Sequence, residues 1–417
     1  MKLWKRKNKD LVAGNPAYTN DYPTVFVHGF LGWGTSDGLD KVWSYFGGLH
    51  MSCEKELRAR GYEVYFPSIG AFNSVWDRVC ELYAYLFGGT IDYGKVHSEK
   101  YGHARYGMTF EHGVLEDLGT PGKHEKMNLL GHSFGAPTVR LLVTLMTEGS
   151  KEEQEGTPAD ELSPLFKGGQ GDLIHAVTTV SGVNNGTTLP NLIGEKWLER
   201  VIEVLGHLLV WVGDTFLFKI YNTGLQMWGV GPYPPESKWG LHFRSYRSLK
   251  DNVQKFKACR EDNIAFELMV DYTHSFNKRT IVNPNVYYFA VPCNDTEDLP
   301  DGTRKQRSTN LIMSIPGYYM NKYIPKGLEE FNPDDSWLYT DGLVNVPLQY
   351  APDNQPMTDA DEATAYEGTG KKPGIWYNMP LLQGSHISWM GLSFPGDELI
   401  RRFVNILELH RKLPLVK

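Results

Sequence analysis

Hydrophobic and polar positions along this chain fall into blocks with two different periods. Short apolar, β-branched runs recur at 24–28 (TVFVH), 62–66 (YEVYF), 127–130 (MNLL), 174–182 (IHAVTTVSG) and 285–292 (NVYYFAVP). Runs this short, with little internal alternation, predict strands buried on both faces, as in a parallel sheet. Between them the period becomes helical. Val139, Leu142, Val143 and Met146 stand at i, i+3, i+4 and i+7, and Ile400, Phe403, Val404 and Leu407 mark a packing stripe in a terminal helix from 397 to about 410. Residues 53–60 and 75–86 read as further helices. Strands alternating with helices predict an α/β fold with a mostly parallel central sheet.

The most apolar helical region spans 189–227, where Val201, Leu205, Leu208 and Val212 share one face and much of the other face is apolar too. It predicts a helical cap, either buried or opening as a lid over an apolar pocket. The segment 233–247 reads as loop, 251–277 as further helix containing Asp262, and the charged stretch 148–161 as a surface loop without a functional role.

Composition narrows the classes. At 417 residues the chain can bury a large core, and it reads as a single domain, 1–417, with insertions at 73–108 and 189–275. Hydrophobic content of 41%, charged content of 22% and a formal charge of −7 describe a globular protein with no nucleic-acid partner. No apolar run is long enough for a transmembrane segment. The basic start, MKLWKRKNKD, is followed by no apolar stretch of signal-peptide type, so secretion would require a leader absent from this sequence. Four cysteines (Cys53, Cys80, Cys259, Cys293) show no C-x-x-C spacing and leave free thiols or a single bridge open.

Chemistry enters at Gly131-His132-Ser133-Phe134-Gly135. This fits G-x-S-x-G, the turn that reverses a strand straight into a helix and holds a serine in a strained, exposed conformation. A Cβ on either side of such a serine would collide with the chain, hence the glycines. In a glycine-rich chain the bare pattern arises by accident. The strand before it and the amphipathic helix after it argue for a nucleophile elbow in an α/β-hydrolase fold. The first predicted strand opens into Gly29-Phe30-Leu31-Gly32-Trp33-Gly34, a loop placed to supply a second oxyanion amide. The pair would be the N–H groups of Phe30 and Phe134.

A serine nucleophile needs a base within hydrogen-bond reach and an acid to fix that base's tautomer. Asp341, in the turn WLYTDGLVN, and His386, in GSHISW, complete the order Ser133…Asp341…His386 of this hydrolase class. His410 and His132 compete for the base, and Asp334, Asp335 and Asp353 for the acid. The segment 73–106 exceeds what a minimal hydrolase needs. Its Asp77, with His97 and His103 in a polar loop, offers oxygen and nitrogen ligands suited to zinc, although H-x5-H is no tight metal signature.

Four segments together resemble the thermoalkalophilic bacterial lipases and the related staphylococcal lipases. They are HGFLGWG, the insertion WDRVCELYAYLFGGTIDYGKVHSEKYGHARYG, the GHSFG elbow with SPLFKGG behind it, and DGLVN with the late GSH. The resemblance implies an α/β-hydrolase fold with a zinc-binding insertion and a helical lid. Ser133, Asp341 and His386 would then be the catalytic residues, and Phe30 and Phe134 the oxyanion hole. It implies a structural zinc held by Asp77, His97, His103 and a later aspartate, best matched by Asp262 and failing that by Asp271. It further implies a secreted enzyme acting on acylglycerols and other apolar esters at a lipid or polymer interface, synthetic polyesters included. An acyltransferase or phospholipase with the same triad, or a non-catalytic binding protein on the same scaffold, are the alternatives. Two departures stand out. Ala136 replaces a second glycine of the elbow, and Ser388 and Ser393 stand where the family uses carboxylates for calcium, so calcium is not carried over.

Overall fold

The computed structural model describes residues 17–49, 51–194, 220–221, 223–228, 254–255 and 259–416. The apolar runs form strands where the sequence places them. Strands β1 (Thr24–Val27), β5 (Met127–His132), β6 (Ile174–Val180) and β7 (Tyr287–Val291) are buried along their whole length. Two-residue β2 (Val64–Tyr65), with β8 (Met357–Asp359) and β9 (Trp376–Asn378), completes a seven-stranded sheet among the described residues, in the order β8-β9-β7-β6-β5-β1-β2. Every pairing in it is parallel. A separate antiparallel hairpin pairs β3 (Gly89–Asp92) with β4 (Tyr106–Phe110).

The strand period of two divides the side chains between the faces. Val25, Val27, Leu129 and Val177 pack on one side with helix α2 (Val75–Phe87) and helix α4 (Gly135–Glu148). Phe26, Leu130 and Phe289 pack on the other with α1 (Cys53–Ala59) and the terminal helix α7 (Gly396–Lys412). The stripe Val139, Leu142, Val143 and Met146 is fully buried. This is the mostly parallel, helix-flanked sheet that the sequence predicts.

Topology fixes where a site can form. From β1 the chain moves outward to the edge strand β2, whereas from β5 it moves the other way through β6 to β7. The direction reverses between β1 and β5, whose carboxyl ends lie side by side with Val27 opposite Gly131. At such a reversal the two βα loops diverge and leave a crevice, the usual ligand position in an open α/β sheet.

Three expectations are corrected. The charged stretch 148–161 contains a helix, α5 (Lys151–Gly156), whose Glu153 is buried. His97 lies on a helix, α3 (Lys95–Tyr101), not in a loop; Gly94 precedes it and Gly102, at φ +78°, ends it in the left-handed conformation. Within 251–277, the described residues form a 3-10 turn (Arg260–Asp262) and two short helices (Ile264–Glu267, Val270–Asn277) instead of one. Asn263 breaks the run because its Oδ1 caps the next helix by accepting from the Ala265 amide at 3.1 Å. Most of the expected lid, including Val201, Leu205, Leu208 and Val212, lies outside the described residues, as does the loop 233–247. All four cysteines are free thiols. No helix among the described residues is long and apolar enough to cross a membrane.

Candidate active site and metal centre

Strand β5 ends at His132 and α4 begins at Gly135, so Ser133 and Phe134 alone turn the chain through the reversal. Ser133 takes up the strain with φ +56°, a left-handed value costly for a residue with a Cβ. The glycines are required by contact. A Cβ on Gly131 would strike the Gly135 carbonyl, and one on Gly135 would strike the Val27 carbonyl of the neighbouring strand. A Cβ on Gly29 would lie 2.6 Å from the Ser133 Cβ, so the loop after β1 is seated directly against the serine. Ala136 finds its room because residue 182 is glycine: a Cβ there would be 2.7 Å from the Ala136 methyl.

The structure brings Ser133, His386 and Asp341 together. Ser133 Oγ is 2.8 Å from His386 Nε2, and His386 Nδ1 is 2.8 Å from Asp341 Oδ2. Asp341 is fully buried, and its Oδ1 accepts from the amides of Leu343 and Val344 at 3.1 and 2.8 Å. A backbone bond from His386 N to the Asp341 carbonyl, 2.7 Å, ties the two loops together. Ser133 keeps 9% of its surface exposed. The amides of Phe30 and Phe134 have no acceptor among the described residues, and Phe134 stands at the N-terminus of α4, where the helix dipole favours negative charge. Three of the competing residues are engaged elsewhere. His410 bonds Thr178 at 2.8 Å, Asp353 bonds His274 at 2.5 Å, and Asp334 caps the turn Asp335–Leu338.

Behind the triad runs a hydrogen-bond chain with no sequence signature. The Gly29 amide donates to Tyr45 Oη (2.9 Å), Tyr45 Oη lies 2.7 Å from His132 Nδ1, and His132 Nε2 lies 3.0 Å from the His386 carbonyl. Burial, with His386 beside it, pushes His132 well below the usual histidine range, so its ring is neutral. The carbonyl can only accept, which places the proton on Nε2 and leaves Nδ1 to accept from the tyrosine. Burial also raises the Tyr45 phenol, keeping that donor protonated. The chain thus links the glycine loop to the loop of His386. Buried Arg78 holds the other side. Its guanidinium donates to the carbonyls of His28 and Gly70 and to Thr138 Oγ1, and sits 5.6 Å from the Phe134 ring. Tyr45→Phe strands the Gly29 amide and His132 Nδ1, and losses of about 1–2 kcal/mol are expected for such groups. The expected result is a kcat about 5- to 30-fold lower at nearly constant KM. Steady-state kinetics on a soluble ester checks it, and a change confined to the melting temperature would assign the chain to stability alone.

A second cluster lies in the insertion. Helix α2 supplies Asp77, α3 supplies His97, the following turn His103, and the 3-10 turn Asp262; one donor atom from each lies within 4.8 Å of the others. His97 Nε2 is 3.5 Å from Asp77 and 3.3 Å from Asp262, and His103 Nε2 is 3.9 and 3.5 Å from the same carboxylates. A tetrahedral ion with bonds of about 2.0 Å needs donors about 3.3 Å apart. Both Asp77 oxygens, Asp262 Oδ2 and both histidine Nε2 atoms are buried without a hydrogen-bond partner. Orphaned donors facing one point fit a metal ion. Burial and then Asp262 raise the Asp77 pKa; burial would lower His97, but the two carboxylates override it and lift it to about 9. The cluster favours a cation.

The surroundings orient these ligands. His103 Nδ1 lies 2.9 Å from the Ala104 carbonyl, which fixes the tautomer with Nε2 free to coordinate. Trp76 stacks on the His97 ring at 4.8 Å. Glu153 of α5 accepts from the amides of Val96 and His97 at 3.2 and 2.8 Å, tying α3 in place. Sequence reasoning missed Glu153, Tyr45 and Arg78. Asp271, the fallback ligand, is exposed on the helix Val270–Asn277 and outside the cluster. Ser385 Oγ lies 2.9 Å from Ser393 Oγ and 3.3 Å from Ser388 Oγ, so these hydroxyls bond one another.

Comparison with known proteins places this geometry in context. Residues 20–410 match the family described as "Lipase-like, C-terminal domain". Lipase 2 of Staphylococcus aureus is 32% identical over 415 residues, covering 96% of this chain and 56% of that protein. Lipase 1 of the same species is 34% identical over 387 residues, covering 91% and 52%. The chain therefore spans about half the length of the curated relatives it matches. Among solved structures, Staphylococcus hyicus lipase aligns with a TM-score of 0.78 at 28% identity, covering 95% of this chain and 97% of that one. EstA from Clostridium botulinum aligns with 0.76 at 28% identity (96% and 89%), and lipase 1 from Pelosinus fermentans with 0.73 at 30% (95% and 100%).

Proposed function

This chain belongs to the lipase-like C-terminal domain family, and from that premise we propose that it is a carboxylic-ester hydrolase working through an acyl-enzyme. One observation carries the proposal: Ser133, His386 and Asp341 form a continuous hydrogen-bond chain of two 2.8 Å contacts at the point where the sheet topology reverses. Ser133 Oγ attacks the ester carbonyl while His386 Nε2 takes its proton, and Asp341 stabilises the imidazolium. The Phe30 and Phe134 amides receive the oxyanion. The C–O bond to the alcohol then breaks, His386 returns its proton to the departing oxygen, and the acyl group stays on Ser133. Water, deprotonated by His386, attacks the acyl-enzyme and releases the acid.

The proposed substrates are esters with apolar acyl chains, acylglycerols first, presented at a lipid or polymer surface. The names of the relatives and the aromatic composition support this. Secretion belongs to the same proposal and rests on the resemblance. We propose zinc as the ion, because two imidazole nitrogens and two carboxylate oxygens suit it and would close a four-coordinate shell. Asp77, His97, His103 and Asp262 would hold it, tying the insertion 73–108 to the turn at Asp262; its role would be structural.

Release of p-nitrophenol from esters of increasing acyl length, with and without an alcohol acceptor, tests the function. Hydrolysis is expected throughout, with free acid as the main product and a chain-length optimum that separates esterase from lipase. Acyl partitioning mainly to the alcohol would make the chain a transferase. Absence of turnover on every ester would refute the proposal.

A further inference from the structure

Helix α6 (Leu311–Met320, LIMSIPGYYM) is apolar on every side. Asn310 starts it by accepting from the Ile312 amide at 2.9 Å, and the inward face buries Met313, Gly317 and Met320. The outward face would ordinarily be polar. Here it carries Leu311 (70% exposed), Ile312 (65%), Ile315 (55%), Tyr318 (49%) and Tyr319 (56%). Five large apolar side chains on one outward face, at i, i+1, i+4, i+7 and i+8, form a contiguous patch of a kind that soluble surfaces rarely keep without a use.

Two observations say what the face meets. The first is charge. Between Asp301 and Glu329 there is no acidic residue and there are five basic ones (Arg304, Lys305, Arg307, Lys322 and Lys326), in a chain whose formal charge is −7. The arginines and Lys305 pair with Asp298 and Glu297, whereas Lys322 and Lys326 have no carboxylate partner among the described residues. Lys322 Nζ lies 3.6 Å above the Tyr318 ring, an ammonium over an aromatic at the edge of an aliphatic face. Aliphatic side chains flanked by tyrosine rings and unpaired lysines match the layers of an anionic lipid surface, from acyl chains to ring-binding interface to headgroup charge. The second is continuity with the triad. The inner face of α6 abuts the turn of the proposed catalytic acid: a Cβ on Gly342 would lie 3.0 Å from Met313 Cβ. The short helix Leu189–Ile193, whose Ile193 is 37% exposed, packs alongside.

We propose that α6 is the element by which this protein docks on an anionic lipid–water interface, with Leu311, Ile312 and Ile315 entering the apolar layer and Lys322 and Lys326 meeting the headgroups. The purpose of docking rests on the ester-hydrolase reading, since a site beside α6 would then receive substrate from the layer and return fatty-acid anions to it. The binding itself does not need the triad.

The test is co-sedimentation of the full chain with phosphatidylcholine vesicles, with and without phosphatidylglycerol. Wild type and Ser133→Ala are expected to bind the anionic vesicles equally. The double variant Ile312→Ser/Ile315→Ser is expected to bind about tenfold or more weakly to either. Lys322→Glu/Lys326→Glu is expected to lose only the preference for phosphatidylglycerol. Both variants should hydrolyse p-nitrophenyl acetate, a soluble ester, at the wild-type rate. If none of the proteins turns over that ester or a longer-chain p-nitrophenyl ester while vesicle binding follows this pattern, the hydrolase reading fails and the docking surface stands. Wild type left in the supernatant, or an isoleucine variant that binds as wild type does, overturns the proposal. Light scattering that shows a dimer dissolved by the isoleucine substitutions, without a change in vesicle binding, would assign the face to a second copy of this chain.

Discussion

Asp341→Asn is expected to lower kcat by about four orders of magnitude while the protein stays folded. The reason is positional. Asp341 Oδ1 accepts from the amides of Leu343 and Val344, both of which need an acceptor, and Oδ2 faces His386 Nδ1. An asparagine of the same shape keeps its carbonyl toward the two amides and so turns its NH2 toward His386. The imidazole must then accept at Nδ1 and carry its proton on Nε2, the atom 2.8 Å from Ser133 Oγ. In that tautomer it cannot take the serine proton. Steady-state kinetics on a soluble ester, with circular dichroism to verify the fold, checks this. A loss under tenfold would mean that His386 is oriented by another group, and the Leu343–Val344 turn would then hold a purely structural carboxylate.

The second large effect concerns the cluster of Asp77, His97, His103 and Asp262. Removing the proposed ion with a strong chelator, or removing one of its proposed ligands by His103→Ala, takes a positive charge away from two buried carboxylates. An ion present at about a thousand times its dissociation constant contributes about 4 kcal/mol, and in a chain of this size that corresponds to a fall of roughly 5 °C in Tm. His103→Ala is expected to purify without stoichiometric metal and to melt earlier, while kcat on a soluble ester well below the melting temperature changes little. Elemental analysis and calorimetry decide the matter. A wild-type protein that carries no metal, or a variant that melts with it, would make the four side chains a buried polar cluster of another kind.

The parts of the fold and of the site that are local in the chain were legible in the sequence. The elbow is five consecutive residues between a buried strand and a helix whose stripe is wholly core, so Ser133 needed no distant information. The central strands were readable because burial on both faces leaves unbroken apolar runs. The short outer strands were not: β8 (MTD) is exposed throughout, and β9 (WYN) is three residues whose pairing is settled by neighbours far away in sequence. The proposed metal cluster divides in the same way. Asp77, His97 and His103 fall within one segment, whereas Asp262 lies in another part of the chain and was reached only through the resemblance. The seven-residue helix that carries His97 is too short for a period to show, and its start is pinned by Glu153, one of five glutamates in a stretch that reads as solvated charge. Tyr45, His132 and Arg78 act through the backbone of other loops, and contacts of that kind leave no motif.

Intact-mass and peptide-mapping spectrometry after treatment with a fluorophosphonate shows whether Ser133 is an activated nucleophile. One adduct per chain is expected, on Ser133, formed rapidly in the folded protein and absent from Ser133→Ala and from unfolded wild type. Labelling at another residue, or none in protein that still hydrolyses esters, would contradict it, and the elbow at Ser133 would then be a structural turn with the ester chemistry residing elsewhere.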